Sequence, residues 1–282
     1  MNPVKALFVS SLAVLLASGC GNPPDRAGDA ADGADSLAGE ITVVGSTTVQ
    51  PVAEVLAGAF EELHPGCTIT VQGGGSSVGV TSAGQGAADS GSVSRDISPE
   101  EFAEFPELVV HTIARDGIAV VADPGVPVDG LTLDQVRGIF SGSIANWSSV
   151  GGPDMPIVVV SREEGSGTRG AFEELMLGEG IQMSSGAILQ SSNGAILTTV
   201  SGTPGAVGYL SFGYLDPSVK ALSVDGVAPT PVNAANGSYT AVRPLNLVTG
   251  GDPDGLARAW IDFIESADGQ AIVVEQGYLS VD

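Results

Sequence analysis

The chain has 282 residues, and its 33 acidic residues outnumber its 10 basic residues, which gives a formal net charge of −23 at pH 7. Such an excess of negative charge excludes nucleic acid and anionic lipid as partners held by general electrostatic attraction. The two cysteines and two histidines do not stand in any spacing typical of metal ligands. We therefore expect neither a metal nor a cofactor.

Residues 1–19 are predicted to be a secretory signal peptide. One lysine precedes an apolar stretch from Ala6 to Ala17, which is shorter than the roughly 18 residues that a membrane-spanning helix needs. Residues 16–20, LASGC, resemble the bacterial lipobox, in which the signal is cut before a cysteine that receives lipid. We expect lipidation at Cys20 and an extracytoplasmic location, either anchored to the cell membrane or in the periplasm. The alternative is an ordinary secretory signal with an incidental cysteine.

Residues 20–39 are predicted to comprise the lipidated cysteine and a disordered tether. The segment holds small, acidic and turn-forming residues with a single leucine, so it cannot bury enough apolar surface to offset the cost of ordering the chain. The folded body is expected to begin near Glu40, and its length suits one large or two medium domains.

Strands, hydroxyl-rich turns and amphipathic helices alternate through the body, which is the pattern of an α/β fold. Short β-branched runs predict the strands, and apolar residues at helical spacing predict the helices. Cys67 is expected to be a small apolar residue that opens a strand. The predicted strands are 41–44, 68–71, 157–160 and 206–210, and the predicted helices are 49–63, 76–86, 166–177, 193–200, 256–264 and 271–276.

Two longer apolar stretches, residues 113–121 and 243–248, lie far apart in the chain. They predict that the chain leaves a first domain near residue 120, builds a second domain and returns near residue 241. On this hypothesis lobe 1 comprises residues 40–120 and 241–282, and lobe 2 comprises residues 121–240. The two crossings would form a hinge with a ligand cleft between the lobes.

Three turns share one layout, in which a predicted strand is followed by glycines and hydroxyls that lead into a helix. These turns are residues 45–48 (GSTT), 73–77 (GGGSS) and 162–168 (REEGSGT). A helix N-terminus offers unpaired N–H donors and the positive end of the helix dipole, so it can bind an anion. Simple N-capping would explain any one of the turns. The three together, with Arg162, favour a site for a small oxyanion inside an acidic protein.

A family resemblance rests on nine segments in order. They are GSTTVQPVAE, VQGGGSSVG, ADSGSVSRD, IARDGIAVV, LTLDQVRGIFSGSIANWSSVGG, SREEGSGTR, SNGAILTTV, GAVGYLSFGYL and RPLNLV. From about residue 41 to the C-terminus they resemble the PstS-type phosphate-binding lipoproteins of ABC importers. The resemblance implies a type II periplasmic-binding-protein fold, whose two α/β lobes close over one dehydrated phosphate and present it to the permease subunits.

The resemblance also implies the phosphate ligands. Carried over position by position, the candidates are Ser46, Thr47, Thr48, Ser76, Ser94, Arg95, Arg162, Ser166, Gly167 and Thr168. Arg162 falls on the arginine that meets the phosphate charge. Asn193 begins a further helix, where it either donates across the cleft or serves as a plain N-cap.

Ser94 departs from part of this family, in which an aspartate accepts the proton of hydrogen phosphate and repels sulfate. A serine can accept the proton but repels nothing, so discrimination against sulfate is less secure. Asp89 and Asp96 are alternative acceptors, although Asp89 could equally end a strand and Asp96 could cap the next helix. Arg95 either contacts the anion or holds its own loop.

Glu163 and Glu164 follow the arginine, and two interpretations stay open for them. They form a solvated first turn of the helix, or Glu164 pairs with Arg162 and tempers the affinity.

An enzyme is disfavoured, because neither histidine lies in a motif that would supply a base to a serine and no metal cluster is apparent. We expect a monomeric binding protein. The alternatives are a protein that binds sulfate, molybdate or tungstate, and a surface lipoprotein that senses phosphate.

Overall fold

A computed structural model describes residues 37–281. The predicted signal peptide, the predicted lipidation site at Cys20 and the tether up to residue 36 lie outside the described residues. Within residues 37–281, no helix is both long enough and apolar enough to cross a membrane.

The described chain alternates strands and helices, as predicted. The strands are β1 (Gly39–Gly45), β2 (Cys67–Gly73), β3 (Ser90–Val93), β4 (Val109–Ala122), β5 (Gly130–Leu131), β6 (Val158–Arg162), β7 (Ile188–Gln190), β8 (Ala206–Ser211), β9 (Lys220–Ala221), β10 (Ser223–Val224) and β11 (Val242–Thr249). The helices are α1 (Gln50–Leu63), α2 (Ser76–Gly84), α3 (Pro99–Glu104), α4 (Leu133–Ser141), α5 (Gly167–Phe172), α6 (Asn193–Gly202), α7 (Pro231–Ala235), α8 (Gly255–Glu265) and α9 (Ala267–Glu275). Cys67 is buried at the start of β2, which confirms its predicted place.

Two of the predicted helices differ from the structure. The helix expected over residues 166–177 is α5 followed by a π-helical turn at Glu173–Leu177. The last helix begins at Ala267 rather than at residue 271, because the Ser266 hydroxyl caps it by accepting from the Gly269 amide at 3.2 Å.

One nine-stranded sheet runs through the protein in the order β2-β1-β3-β11-β4-β8-β6-β7, and β9 pairs with β4. Strands β2, β1 and β3 are parallel, and so are β8, β6 and β7. Strands β11 and β4 join these two parallel groups through antiparallel pairing. The carboxyl ends of each parallel group therefore lie at one edge, where α/β proteins place their ligands.

The apolar core falls into separate clusters on either side of the two joining strands. The first part of β4, up to Ala114, packs with β1, β2, α1 and α8, and the part from Ile118 onward packs with α4, α5, α6 and β8. A smaller cluster lies under α2 and β3. The change of core falls at residues 115–117, where Asp116 pairs in register with Arg243 of β11.

Helix α2 lies directly on the strands beneath it, because glycines occupy the contact. A Cβ atom on Gly91 would lie 2.6 Å from the carbonyl carbon of Gly79, and a Cβ atom on Gly45 would lie 2.8 Å from the Cα atom of Gly79. Real side chains essentially never approach backbone this closely. The three glycines thus fix the depth of α2, and with it the position of Ser76 at the start of this helix.

We predict that Gly91→Ala lowers the free energy of unfolding by about 2–3 kcal/mol, because the added methyl group meets backbone that cannot move aside. Gly58→Ala is the matched control, since a Cβ atom there meets nothing within 4 Å. In the interior of α1 this change should stabilise the protein by up to about 1 kcal/mol. Chemical denaturation of both variants measures the difference, and equal stabilities would contradict the proposed contact.

Candidate anion-binding site

The predicted hydroxyl-rich turns converge at the carboxyl ends of β1, β2 and β6, although they are far apart in sequence. The Thr48 hydroxyl lies 3.0 Å from the Thr168 hydroxyl, and the Ser77 amide donates to the Gly165 carbonyl at 3.1 Å. Asn193, the first residue of α6, donates from Nδ2 to the Thr48 hydroxyl at 2.9 Å. The starts of α2, α5 and α6 therefore meet beside the loop that precedes α1.

Ser76 and Ser94 form the second part of this site. Their hydroxyl oxygens are 3.3 Å apart, and the Ser94 amide donates to the Ser76 hydroxyl at 3.0 Å. A Cβ atom on Gly167 would collide with the Ser76 hydroxyl and would lie 2.5 Å from the Ser94 hydroxyl. Gly167 therefore lets the first turn of α5 approach these two serines. We name Thr48, Ser76, Ser94 and Thr168 the hydroxyl cluster, and all four side chains are buried.

Two further predicted residues act as local caps beside the cluster. The Ser46 hydroxyl accepts from the Thr48 amide at 3.1 Å, and the Ser166 hydroxyl accepts from the Arg169 amide at 3.3 Å. Thr47 lies half-buried next to them, and its carbonyl accepts from the Tyr214 hydroxyl at 2.8 Å. These contacts hold the backbone N–H groups of the first and third turns in place.

Arg162 is buried at the end of β6, where its guanidinium donates to a carboxylate and to two backbone carbonyls. Nε and Nη2 bond to both carboxylate oxygens of Glu163 at 3.1 and 2.8 Å, and to the carbonyls of Gln190 and Ser191 at 3.0 and 3.1 Å. Of the two interpretations of Glu163 and Glu164, the pairing of Arg162 with Glu164 is wrong, because Glu163, which directly follows the strand, pairs with the guanidinium instead. The other is wrong as well, because α5 begins at Gly167 and its first turn holds no acidic residue. Within residues 37–281, no hydrogen bond joins this guanidinium to the hydroxyl cluster. Among residues 37–281, Nη1 has no hydrogen-bond partner.

The hydrogen bonds of Arg95 go to residues outside the hydroxyl cluster. Its Nη1 and Nη2 donate to the two carboxylate oxygens of Glu101 at 2.7 Å, and Nη2 also donates to the Ser77 hydroxyl at 3.1 Å. Of the two interpretations of Arg95, the structure shows the contacts of the one in which it holds its own loop. A contact of Arg95 with an anion stays a prediction.

Neither of the aspartates considered as proton acceptors lies in the hydroxyl cluster. Asp89 accepts from the amide and the hydroxyl of Thr42 at 2.7 and 3.0 Å, and Asp96 is exposed. Asp96 also does not cap α3, because the Ser98 hydroxyl does so by accepting from the Glu101 amide at 3.2 Å. Asp89 directly precedes β3 rather than ending a strand, and Asp96 neither lies in the cluster nor caps α3.

Sequence reasoning missed a buried ion pair directly beneath the cluster. Asp116 of β4 accepts from Nη2 and Nε of Arg243 on β11 at 2.8 and 3.1 Å, and both side chains are almost fully buried. The same Asp116 carboxylate accepts from the Ser211 hydroxyl at 2.9 Å and the Phe212 amide at 3.2 Å. The available signal was the presence of Asp116 within the apolar stretch 113–121 and of Arg243 at the start of the apolar stretch 243–248.

The charge of Arg162 acts on the buried Arg243. Burial lowers the pKa of Arg243, the carboxylate of Asp116 opposes this fall, and the positive charge of Arg162 lowers the pKa further. Burial likewise raises the pKa of Asp116, while the Arg243 guanidinium and the hydrogen bonds from Ser211 and Phe212 lower it. Each buried guanidinium thus has its own carboxylate. The hydroxyl cluster, Arg162 and Arg243 are buried hydrogen-bond donors, and such a set of donors suits an oxyanion.

Comparison with known proteins agrees with this geometry. The family model described as a PBP superfamily domain matches residues 30–268. The phosphate-binding protein PstS of Bacillus subtilis is 34% identical over 285 residues, which cover 99% of this chain and 94% of the relative. The PstS protein of Borreliella burgdorferi is 30% identical and covers 86% of this chain and 90% of its own length.

Two solved structures of phosphate-transport proteins are also similar to this chain. A Clostridium perfringens chain described as a phosphate ABC transporter substrate-binding protein was crystallised with phosphate bound. It is 40% identical with a TM-score of 0.82, covering 86% of this chain and 100% of its own. An ABC-type phosphate transport receptor from Vibrio cholerae is 37% identical with a TM-score of 0.71, covering 85% and 99%.

The sheet order, the joining strands and the buried donors at the strand ends define a substrate-binding protein with the α/β type II periplasmic-binding-protein fold, as the sequence predicted. Within that superfamily, the chain belongs to the PstS-type phosphate-binding proteins.

We predict that the Arg95–Glu101 pair makes stability depend on pH. Burial alone would raise the pKa of Glu101, but the hydrogen bonds and positive charge of Arg95, together with the Ser98 amide, hold the pKa below its ordinary value of 4.5. The stabilisation is therefore present above pH 4.5 and is lost as the pH falls through the lower pKa of the folded protein. Glu101→Gln should cost about 1 kcal/mol at pH 7 and progressively less below pH 4.5.

Denaturation of wild type and Glu101→Gln between pH 7 and pH 3 checks this dependence. Glu100→Gln is the control, because it removes the same charge from the same turn of α3, where Glu100 is exposed. A cost for Glu101→Gln that stays constant across this pH range would contradict the prediction.

Proposed function

We propose that this chain binds inorganic phosphate outside the cytoplasmic membrane and delivers it to the permease subunits of an ABC importer. The observation that carries the proposal is the convergence of the buried hydroxyl cluster with the starts of α2 and α5, beside the guanidinium of Arg162. Relatives that share 30–40% of the sequence are named as phosphate-binding proteins, and one of them was crystallised with phosphate.

The proposed phosphate ligands are those that the sequence predicted. They are the hydroxyls or amides of Ser46, Thr47, Thr48, Ser76, Ser94, Ser166, Gly167 and Thr168, and the guanidinium groups of Arg162 and Arg95. Hydrogen bonds to a charged partner contribute about 1.5–3 kcal/mol each, and micromolar affinity needs only about 8 kcal/mol. A few of these donors suffice after desolvation losses. Arg162 is the best supported of these ligands. Hydrogen bonds hold its Nε and Nη2 in place, and its Nη1 has no hydrogen-bond partner among residues 37–281.

We also propose that the two cores are two lobes, residues 40–120 with 241–282 and residues 121–240, which move about β4 and β11. The core changes along β4 between Ala114 and Ile118, which supports a boundary on this strand a few residues before residue 120. Thr48 and Thr168 come from opposite sides of that boundary and are in direct hydrogen-bonding contact. Phosphate entry would therefore require the lobes to separate. The hydrogen bond between the two hydroxyls would then be replaced by hydrogen bonds from the hydroxyls to the anion.

The remaining parts of the proposal concern the cellular setting. We propose lipid anchoring at Cys20, a monomer and a role in binding rather than catalysis. The LASGC segment supports the anchor. The hydroxyls of the cluster bond to one another and to Asn193 and Arg243 rather than to a catalytic base, which supports binding.

Arg162→Ala should weaken phosphate binding about tenfold or more, because one charge-assisted donor is lost. Titration calorimetry with phosphate measures the change, and the thermal midpoint reports whether the variant is folded. Arg258→Ala, at an exposed helical position, removes the same charge as a control and should bind like wild type. Unchanged binding by a folded Arg162→Ala variant would remove Arg162 from the proposed site.

Ser94→Asp should improve discrimination against sulfate. A carboxylate at this buried position can accept the proton of hydrogen phosphate, whereas sulfate has no proton to donate at neutral pH and is repelled. Parallel titrations with phosphate and sulfate should show the ratio of the two affinities rising by about tenfold or more in the variant. Ser238→Asp, at an exposed serine, is the charge control. An unchanged ratio of the two affinities would contradict this role for position 94.

A further inference from the structure

The hydroxyl of Thr48 has an unusually complete set of partners. It lies 2.9 Å from Nδ2 of Asn193, 3.2 Å from Nη2 of Arg243 and 3.0 Å from the hydroxyl of Thr168. A hydroxyl can accept two hydrogen bonds and donate one. The identities of these partners therefore decide which way its proton points.

Arg243 can only donate to Thr48, because a guanidinium has no acceptor atom. Its orientation is fixed on every side. Nη2 and Nε bond to the Asp116 carboxylate, and Nη1 donates to the Ser94 carbonyl at 3.1 Å. Asp116 in turn is held by Ser211 and Phe212. The guanidinium therefore cannot turn away from Thr48 without breaking a buried ion pair.

Asn193 also donates to Thr48, and the surrounding backbone fixes the orientation of its amide. Its Oδ1 accepts from the Ser211 amide at 3.4 Å. The opposite orientation of the Asn193 side chain would set its NH₂ group against that N–H group and its oxygen against Thr48. Ser211 thus supports both donors, since it bonds to Asp116 through its hydroxyl and to Asn193 through its amide.

We propose that Asn193 and Arg243 occupy both acceptor positions of the Thr48 hydroxyl and so make it a group that can only donate into the site. Asn193 and Arg243 are then positioning residues, and Asp116 holds Arg243 for this purpose. The inference rests on the proposed phosphate site. It adds that the corner of the site at Thr48 takes an anion oxygen that can accept a hydrogen bond, and that it cannot take the proton of a ligand hydroxyl group.

The same contacts would also serve a purely structural purpose, since Asp116 and Arg243 are partners in register between β4 and β11. The two accounts differ in what happens when the Thr48 hydroxyl is absent. If Asn193 and Arg243 only stabilise the fold around the site, they contribute to phosphate affinity whether or not residue 48 carries a hydroxyl. If they orient the Thr48 hydroxyl, they contribute nothing to phosphate affinity once that hydroxyl has been removed.

A double-mutant cycle between Asn193→Leu and Thr48→Val separates these accounts, with the phosphate dissociation constant as the readout. In the wild-type background, Asn193→Leu should weaken binding by about threefold to tenfold, because the hydroxyl is then free to turn. In the Thr48→Val background, the same change should have an effect of less than about twofold. Asn236→Leu, at an exposed position, is the control and should leave binding unchanged.

A second cycle tests the ion pair. The combined change Asp116→Asn/Arg243→Met removes both charges, so neither is left buried without its partner. It should weaken phosphate binding by about threefold or more with Thr48 present and by less than about twofold with Thr48→Val. If this combined variant fails to fold, the Asn193 cycle alone decides.

The outcomes distinguish the inference from the function on which it rests. Wild-type protein that shows no phosphate binding in the titration overturns the proposed function. Wild-type protein that binds phosphate, with Asn193→Leu costing the same factor in both backgrounds, overturns the orienting role and leaves the phosphate site intact.

Discussion

A buried polar group is costly unless it is hydrogen-bonded, and this constraint governs the whole site. The hydroxyl cluster satisfies it by bonding to itself, to backbone and to two fixed donors, Asn193 and Arg243. In the proposed site, an incoming phosphate would offer acceptors that replace the contacts between hydroxyls. Because the donors are held in place beforehand, little ordering entropy is lost on binding.

Close backbone approach makes this arrangement possible. Gly79 and Gly91 let α2 lie on the sheet, and Gly167 lets α5 reach Ser76 and Ser94. Any side chain at these positions would separate the helix starts from one another. These three glycines thus set the distances between the hydroxyls and amides of the proposed site.

Each of the two buried guanidinium groups, Arg162 and Arg243, is paired with a carboxylate, although the protein as a whole is acidic. Arg162 has Glu163, and Arg243 has Asp116, so the buried guanidinium groups do not need an anion in order to be tolerated. In the proposed site, phosphate would therefore bind to the remaining donors rather than to an unpaired positive charge. This is consistent with reversible binding, which a carrier that must release its cargo requires.

The sequence predicted the α/β alternation and the three turns well, because strand ends, glycines and capping hydroxyls are local signals. The sequence predicted one helix over Ser166–Leu177, because no local sequence signal indicates the π-helical turn that begins at Glu173. Arg162 pairs with Glu163 rather than Glu164 because of the direction in which the chain leaves β6, and residue spacing does not predict that direction. The Asp116–Arg243 pair depends on the register between strands 127 residues apart, and it could be found only once the sheet was known.

A crystal structure of the protein with phosphate bound tests the central claim most directly. The account predicts phosphate oxygens within about 3.2 Å of the Thr48, Ser76 and Thr168 hydroxyls and of Arg162 Nη1, at the starts of α2 and α5. Phosphate bound elsewhere, with the hydroxyl cluster still bonded only to itself, would contradict it.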